Sequence, residues 1–259
     1  MGNIIEKAML PIGVFDSGVG GISVLRELVA LMPNENYIFF GDSANAPYGT
    51  KSLEQVVELV SKDAEHLYSQ GIKALVVACN TATSAGIQIL RERYTDIPVI
   101  GIEPALKPAV LSKEHPTVLV MATPMTLREE KFHKLMQRFE TDAEIVPLPC
   151  PGLMEFVERG ELESEALETY LTNLFAPYEK VDAVVLGCTH YPFVRNMIQK
   201  VLGENAILFD GGAGTARETK RQLEERHFLK TTEEQGKVIF ENSAKDEEIL
   251  ALCEKLLNS

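Results

Sequence analysis

The 259-residue chain is long enough for one large or two smaller domains, and at 45% hydrophobic it can bury a substantial core. A formal net charge of −13 and a pI near 4.9 argue against a nucleic-acid backbone or an anionic membrane as partner, since both call for clustered Lys and Arg. Its four cysteines are widely and irregularly spaced, which makes neither a disulfide framework nor a zinc motif and points to a reducing compartment.

In chain order, Met1–Lys7 lacks the apolar stretch of a secretory signal, and Glu6 stands where a myristoylation start needs Ser or Thr. No apolar run is long enough to span a bilayer, so a cytoplasmic protein is expected. A strand over 12–15 leads into Asp16-Ser17-Gly18-Val19-Gly20-Gly21, which opens a helix over 20–31. Ser23 occupies the last glycine position of Gly-x-Gly-x-x-Gly, so a site for a small carboxylate at the helix start fits better than a dinucleotide loop. A strand over 37–41 precedes the loop Asp42–Thr50, where Pro47 and Gly49 flank Tyr48 and its hydroxyl. Ser52, with Gln55 three residues on, caps a helix over 52–70.

The nearly all-apolar strand 73–78 runs into Cys79-Asn80-Thr81 and a helix over 80–94. A strand over 98–102 and a helix over 104–112 come next, then a strand over 117–121. Thr123-Pro124 opens a helix over 124–139. Beyond it lie a strand over 144–148, a helix over 152–159 carrying Glu155, and a helix over 163–176. The apolar strand 182–186 runs into Gly187-Cys188-Thr189-His190, with a helix over 191–202 after it. A strand over 206–209, a helix over 213–227, a last apolar run Lys237–Phe240 and a helix near 244–257 complete the chain.

Strands alternating with helices imply an α/β protein with parallel sheets. The pattern also repeats. Cys188 lies 109 positions beyond Cys79, and the strands beginning near 12, 37 and 98 recur near 118, 144 and 207 in the same order. Two pseudo-symmetric domains are therefore expected, one over 1–98 plus 211–259 and the other over 99–210. Ligands of open parallel sheets bind outside the carboxyl ends of the strands, so a cleft between the two halves could hold both cysteines.

Two thiols at matched strand ends suit one site with opposed proton-transfer groups, as inversion of a stereocentre requires. A helix N-terminus favours thiolate over thiol. Asn80, Thr81 and Thr189 could hydrogen-bond a polar ligand held between the thiols. His190 can exchange a proton near neutral pH beside Cys188, and Asp16 could play the matching role for Cys79. Glu155 lies at the start of its helix, where it serves either function or the helix dipole. Cys150 reads as structural, as does Cys253 on a stripe with Ile249, Leu252 and Leu256.

Together, Phe15-Asp16-Ser17-Gly18, Pro47-Tyr48-Gly49, Ala78-Cys79-Asn80-Thr81 and Gly187-Cys188-Thr189-His190-Tyr191-Pro192 resemble the cofactor-independent aspartate/glutamate racemase superfamily. The resemblance covers essentially the whole chain. It implies two flavodoxin-like domains, glutamate as substrate, no cofactor and no metal. It implies Cys79 and Cys188 as the acid/base pair, with Asp16 assisting Cys79, and His190 and nearby Glu155 assisting Cys188. Substrate contacts are implied for Asp16, Ser17, Tyr48, Gly49, Asn80, Thr81, Thr189 and His190. Supply of D-glutamate for peptidoglycan in a bacterial cytoplasm, and a homodimer, are implied as well. Asn45, where many members carry Arg, and Ala105, where Gly is frequent, depart from the family pattern. The alternatives are an aspartate or hydantoin racemase, or a protein that binds an amino acid without turnover.

Overall fold

The computed structural model describes the backbone of residues 2–259 and the side chains of 6–130 and 132–259. Its strands are β1 (Ile12–Asp16), β2 (Tyr37–Gly41), β3 (Ala74–Val77), β4 (Val99–Gly101), β5 (Thr117–Ala122), β6 (Glu144–Pro149), β7 (Ala183–Leu186), β8 (Ile207–Asp210) and β9 (Val238–Asn242). Its helices are α1 (Gly2–Met9), α2 (Ile22–Leu31), α3 (Leu53–Ser69), α4 (Asn80–Arg93), α5 (Leu106–Val110), α6 (Pro124–Arg128), α7 (Glu130–Gln137), α8 (Leu153–Glu158), α9 (Glu165–Phe175), α10 (Arg195–Leu202), α11 (Gly212–Glu225) and α12 (Glu247–Leu257). Among the described residues, no helix is long and apolar enough to cross a membrane.

The chain divides into two compact units, Met1–Ile102 with Gly212–Ser259, and Glu103–Gly211. The first carries a parallel sheet in the order β4-β3-β1-β2-β9, the second a parallel sheet in the order β6-β5-β7-β8. Without β9, both sheets run second-first-third-fourth, the flavodoxin-like order. The registers correspond too: Ile12 pairs with Tyr37 and Ala74, and Val118 with Ile145 and Ala183. The central strands are buried on both faces, which is why they read as unbroken Val, Leu and Phe runs. The edge strand β6 is half exposed and tolerates Pro147 and Pro149, which lack the N–H an interior strand would need. In the second unit, Leu106, Val110, Val118, Val120, Phe132, Ala183 and Val185 form one apolar cluster against the sheet.

Local signals act as expected at two helix starts. Ser52 accepts from the Gln55 N–H while the Gln55 side chain accepts from the Ser52 N–H, and Thr123 caps α6 ahead of Pro124. Four features differ from the sequence reading. The expected boundary at 98 is displaced, because β4 pairs with β3 and is the edge of the first sheet. Helix α1 was not anticipated; its Ala8 carbonyl accepts from Lys73, whose ammonium pairs with Glu35 in the interior. The helix expected over 124–139 breaks at Glu129, whose backbone is extended. The helix expected over 191–202 opens as a 3-10 turn, Tyr191–Val194, with Pro192 in its first turn. The tail returns to the first unit, where β9 pairs with β2 while α11 and α12 pack on α2. Glu35 helps hold that tail, accepting the Lys230 N–H at 2.8 Å.

Candidate active site

In the first unit the chain crosses to opposite faces after β1 and β3, so the crevice lies at the carboxyl ends of these two strands. Asp16 ends β1, fully buried, and its Oδ2 accepts the Gly18 N–H at 3.0 Å. Gly21 permits this packing: a β-carbon there would lie 2.5 Å from the Asp16 β-carbon. Cys79, just past β3, caps α4, its sulfur accepting the Ala82 N–H at 3.4 Å while its thiol donates to Ser17 Oγ at 3.6 Å. Backbone N–H groups at a helix start are suited to holding negative charge on such a sulfur.

Asn80 and Thr81 occupy the first turn of α4 and are buried. Neither the oxygen nor the nitrogen of the Asn80 amide has a hydrogen-bond partner among the described residues. Such groups are rare in interiors, and an amide can both donate and accept a hydrogen bond. Tyr48 and Gly49 lie in a turn after β2. The Tyr48 hydroxyl, which the sequence reading offered to a ligand, is instead committed inside the unit to Asp42 and Asp63.

In the second unit, Cys188 holds the equivalent place beyond β7. Gly187 allows it: its N–H donates to the Met121 carbonyl at 2.7 Å, and a β-carbon would sit 2.6 Å from that oxygen. The two cysteines differ in their downstream neighbours. Cys79 caps a helix, whereas Cys188 leads into buried Thr189 and His190 and then the 3-10 turn. His190 is 1% exposed, with Nδ1 3.6 Å from the Cys188 sulfur and Nε2 2.6 Å from Glu158 Oε1. Burial by itself would lower its pKa, but hydrogen bonds and charge from Cys188 and Glu158 outweigh burial and raise it well above the ordinary histidine value. Both neighbours thus favour the imidazolium form of the ring.

Glu155 does not take that place. Leu153 and Val157 turn α8 toward the core, and Glu155, two residues from each, is about 200° around the helix and exposed. Glu158, next to Val157, reaches the histidine. The sequence reading missed Glu158, although its place on the flank of a core stripe was readable. It also missed Asp42 and Asp63; Asp63 had a signal, a carboxyl on the stripe Val56, Val60, Ala64, Leu67. Cys150 and Cys253 are buried, and burial pushes the Cys150 thiol far above its usual range.

Residues 12–219 match the model of the Asp/Glu/hydantoin racemase family. A glutamate racemase of Clostridium acetobutylicum is 55% identical over 250 residues, covering 96% of this chain and 97% of its own. One of Clostridium perfringens is 50% identical over 249 residues, covering 95% and 96%. The crystal structure of glutamate racemase from Francisella tularensis in complex with D-glutamate aligns with a TM-score of 0.84 at 30% identity, over 97% of this chain and 95% of that one. A duplicated sheet that ends in a cysteine at the same strand of each half, and similarity that runs nearly end to end, lead to one conclusion: the chain belongs to the Asp/Glu/hydantoin racemase family.

Proposed function

We propose that this protein is an isomerase that interconverts L- and D-glutamate, with Cys79 and Cys188 acting on opposite faces of one α-carbon. The observation that carries the reading is the matched pair of buried thiols at the ends of β3 and β7, each with its own polar partners. One thiolate removes the α-proton and the other thiol delivers a proton to the opposite face; the roles exchange for the reverse reaction. A cysteine with a pKa of about 8.5 is a minority thiolate at neutral pH, which suits a pair needing one base and one acid. His190, as imidazolium, stabilises Cys188 when it is anionic, and Glu158 holds the ring in that state. Asp16 serves the Cys79 side.

The α-proton is only weakly acidic, so donors around the substrate carboxylate must stabilise charge that develops in the transition state. The orphaned amide of Asn80 and the hydroxyls of Ser17, Thr81 and Thr189 are the groups we assign to that task, with the backbone of Tyr48 and Gly49. No cofactor is needed for the scheme. The reading places the enzyme in the cytoplasm, as a homodimer, supplying D-glutamate for peptidoglycan.

Chiral analysis of pure protein incubated with each glutamate enantiomer tests the assignment. Both incubations should reach an equal mixture, since enantiomers have equal free energy in water. In heavy water the early product should carry α-deuterium while remaining substrate stays largely protiated. Turnover of aspartate but not glutamate would move the protein to another branch, and binding without α-proton exchange would make it a binding protein. Activity lost on removing metals or pyridoxal phosphate, and restored by either, would refute cofactor independence.

A further inference from the structure

Three buried groups outside the thiol scheme share more protons than their usual ionisation allows. The Tyr48 oxygen lies 2.6 Å from Asp42 Oδ2 and 2.7 Å from Asp63 Oδ2. A phenol has one proton and can donate to only one of them. Were both carboxyls ionised, the second would face an oxygen lone pair at hydrogen-bond distance, among groups that are all buried. The trio must therefore hold a second proton on one of the carboxyls.

Asp42 already accepts a second hydrogen bond, from the Asn45 amide N–H to its Oδ1 at 2.9 Å, which leaves Asp63 as the carboxyl that donates to Tyr48. Asp63 projects from the buried face of α3, 5% exposed. Desolvation first, then the charge of Asp42, push it up to about 7; Asp16 acts in the same direction, against the Tyr48 hydrogen bond and Lys62. These are the charged and titratable groups that act on it, from the loop after β2, the end of β1 and α3 itself.

We propose that Asp63 is a positioning residue: held as a neutral carboxyl, it donates to Tyr48, whose own proton goes to Asp42, and this two-proton chain fixes the Tyr48–Thr50 turn. The turn belongs to the Cys79 half-site, for it packs on α4, and the Asp42 N–H donates to the Asp16 carbonyl at 2.9 Å. The proposal rests on the glutamate racemase reading for its effect on turnover, but not for the protonation itself. Ionisation of Asp63 breaks the chain and adds negative charge beside a site assigned to an anionic substrate. The turn is held at low pH and released as pH rises through the ionisation of Asp63.

Two measurements test this. Carboxyl carbon-13 NMR of the wild-type protein should show one aspartate titrating near neutral pH; the signal should disappear in Asp63→Asn and move to lower pH in Asp42→Asn, which removes the neighbouring charge. Separately, the KM for glutamate should rise several-fold in the wild type as pH passes neutrality. Asp63→Asn, whose amide still donates to Tyr48, should keep the low-pH KM across the range, while Asp63→Leu should raise KM about tenfold at every pH. An Asp63 carboxyl that titrates in the ordinary acidic range overturns the proposal, as does a KM profile in Asp63→Asn that tracks the wild type. If the protein turns over no glutamate, the functional reading fails, and the NMR titration alone decides the state of Asp63.

Discussion

His190 stands between Cys188 and Glu158, its two ring nitrogens directed at different partners, 3.6 Å from the sulfur and 2.6 Å from the carboxylate. The sulfur and the carboxylate together favour the charged form of the ring, and the carboxylate bond orients it toward the sulfur.

Replacing Glu158 with Gln should lower kcat/KM by about 10- to 100-fold, less than the ~10²–10⁴ that a direct acid/base group contributes. Because the enantiomers are isoenergetic, both directions must fall by the same factor. Glu155→Gln, on the exposed side of α8, should stay within about twofold. Circular dichroism from either enantiomer measures both.

The same contact makes stability depend on pH. The folded pKa of His190 is raised above an unfolded value of about 6.5, so between the two the native state binds the extra proton. The stabilisation is fully present below about 6.5 and is lost as pH rises through the folded value. Urea midpoints taken upward from pH 6 should fall in the wild type and fall less in Glu158→Gln, where the pair's attraction is gone. A wild-type midpoint that climbs over this range contradicts the imidazolium assignment.

Cys79→Ser and Cys188→Ser should each lose racemisation by about 10³-fold or more, because a serine hydroxyl is too weak an acid to supply an anion at neutral pH. Cys150→Ser and Cys253→Ser, both buried and outside the proposed acid/base pair, should keep it. Full activity in either of the first two variants discards the two-thiol scheme.

Asn80→Ala separates binding from folding. Its amide makes no hydrogen bond among the described residues, so removal leaves none of them stranded, and stability should change by no more than about 1 kcal/mol. The KM for glutamate should rise about tenfold or more, as expected for a lost hydrogen bond to a charged group. A large loss of thermal stability with unchanged KM would show the amide to be structural.

Gly187→Ala should destabilise the second unit by about 1–3 kcal/mol, since the new methyl meets the Met121 carbonyl rather than a movable side chain. The urea midpoint reads the loss, and activity should fall with it because Cys188 is the next residue.

Much of this was legible in the chain. The doubled alternation of strand and helix identified parallel sheets, because strands covered on both faces must be apolar throughout. The motif around each cysteine placed both thiols at strand ends, since Gly187, Asn80 and Pro192 are turn and helix-start residues. Periodicity alone could not identify the partner of His190: Glu155 and Glu158 share one short helix, and only its rotation against the core, set by Leu153 and Val157, decides which carboxylate reaches the imidazole. Nor could it show that the Tyr48 hydroxyl is enclosed by two acids, one of them 15 positions away on α3. Local sequence determines backbone geometry within a few residues. Which side chains meet, and therefore which protons they must share, depends on how helices settle on a sheet, and that was decided only in the folded molecule.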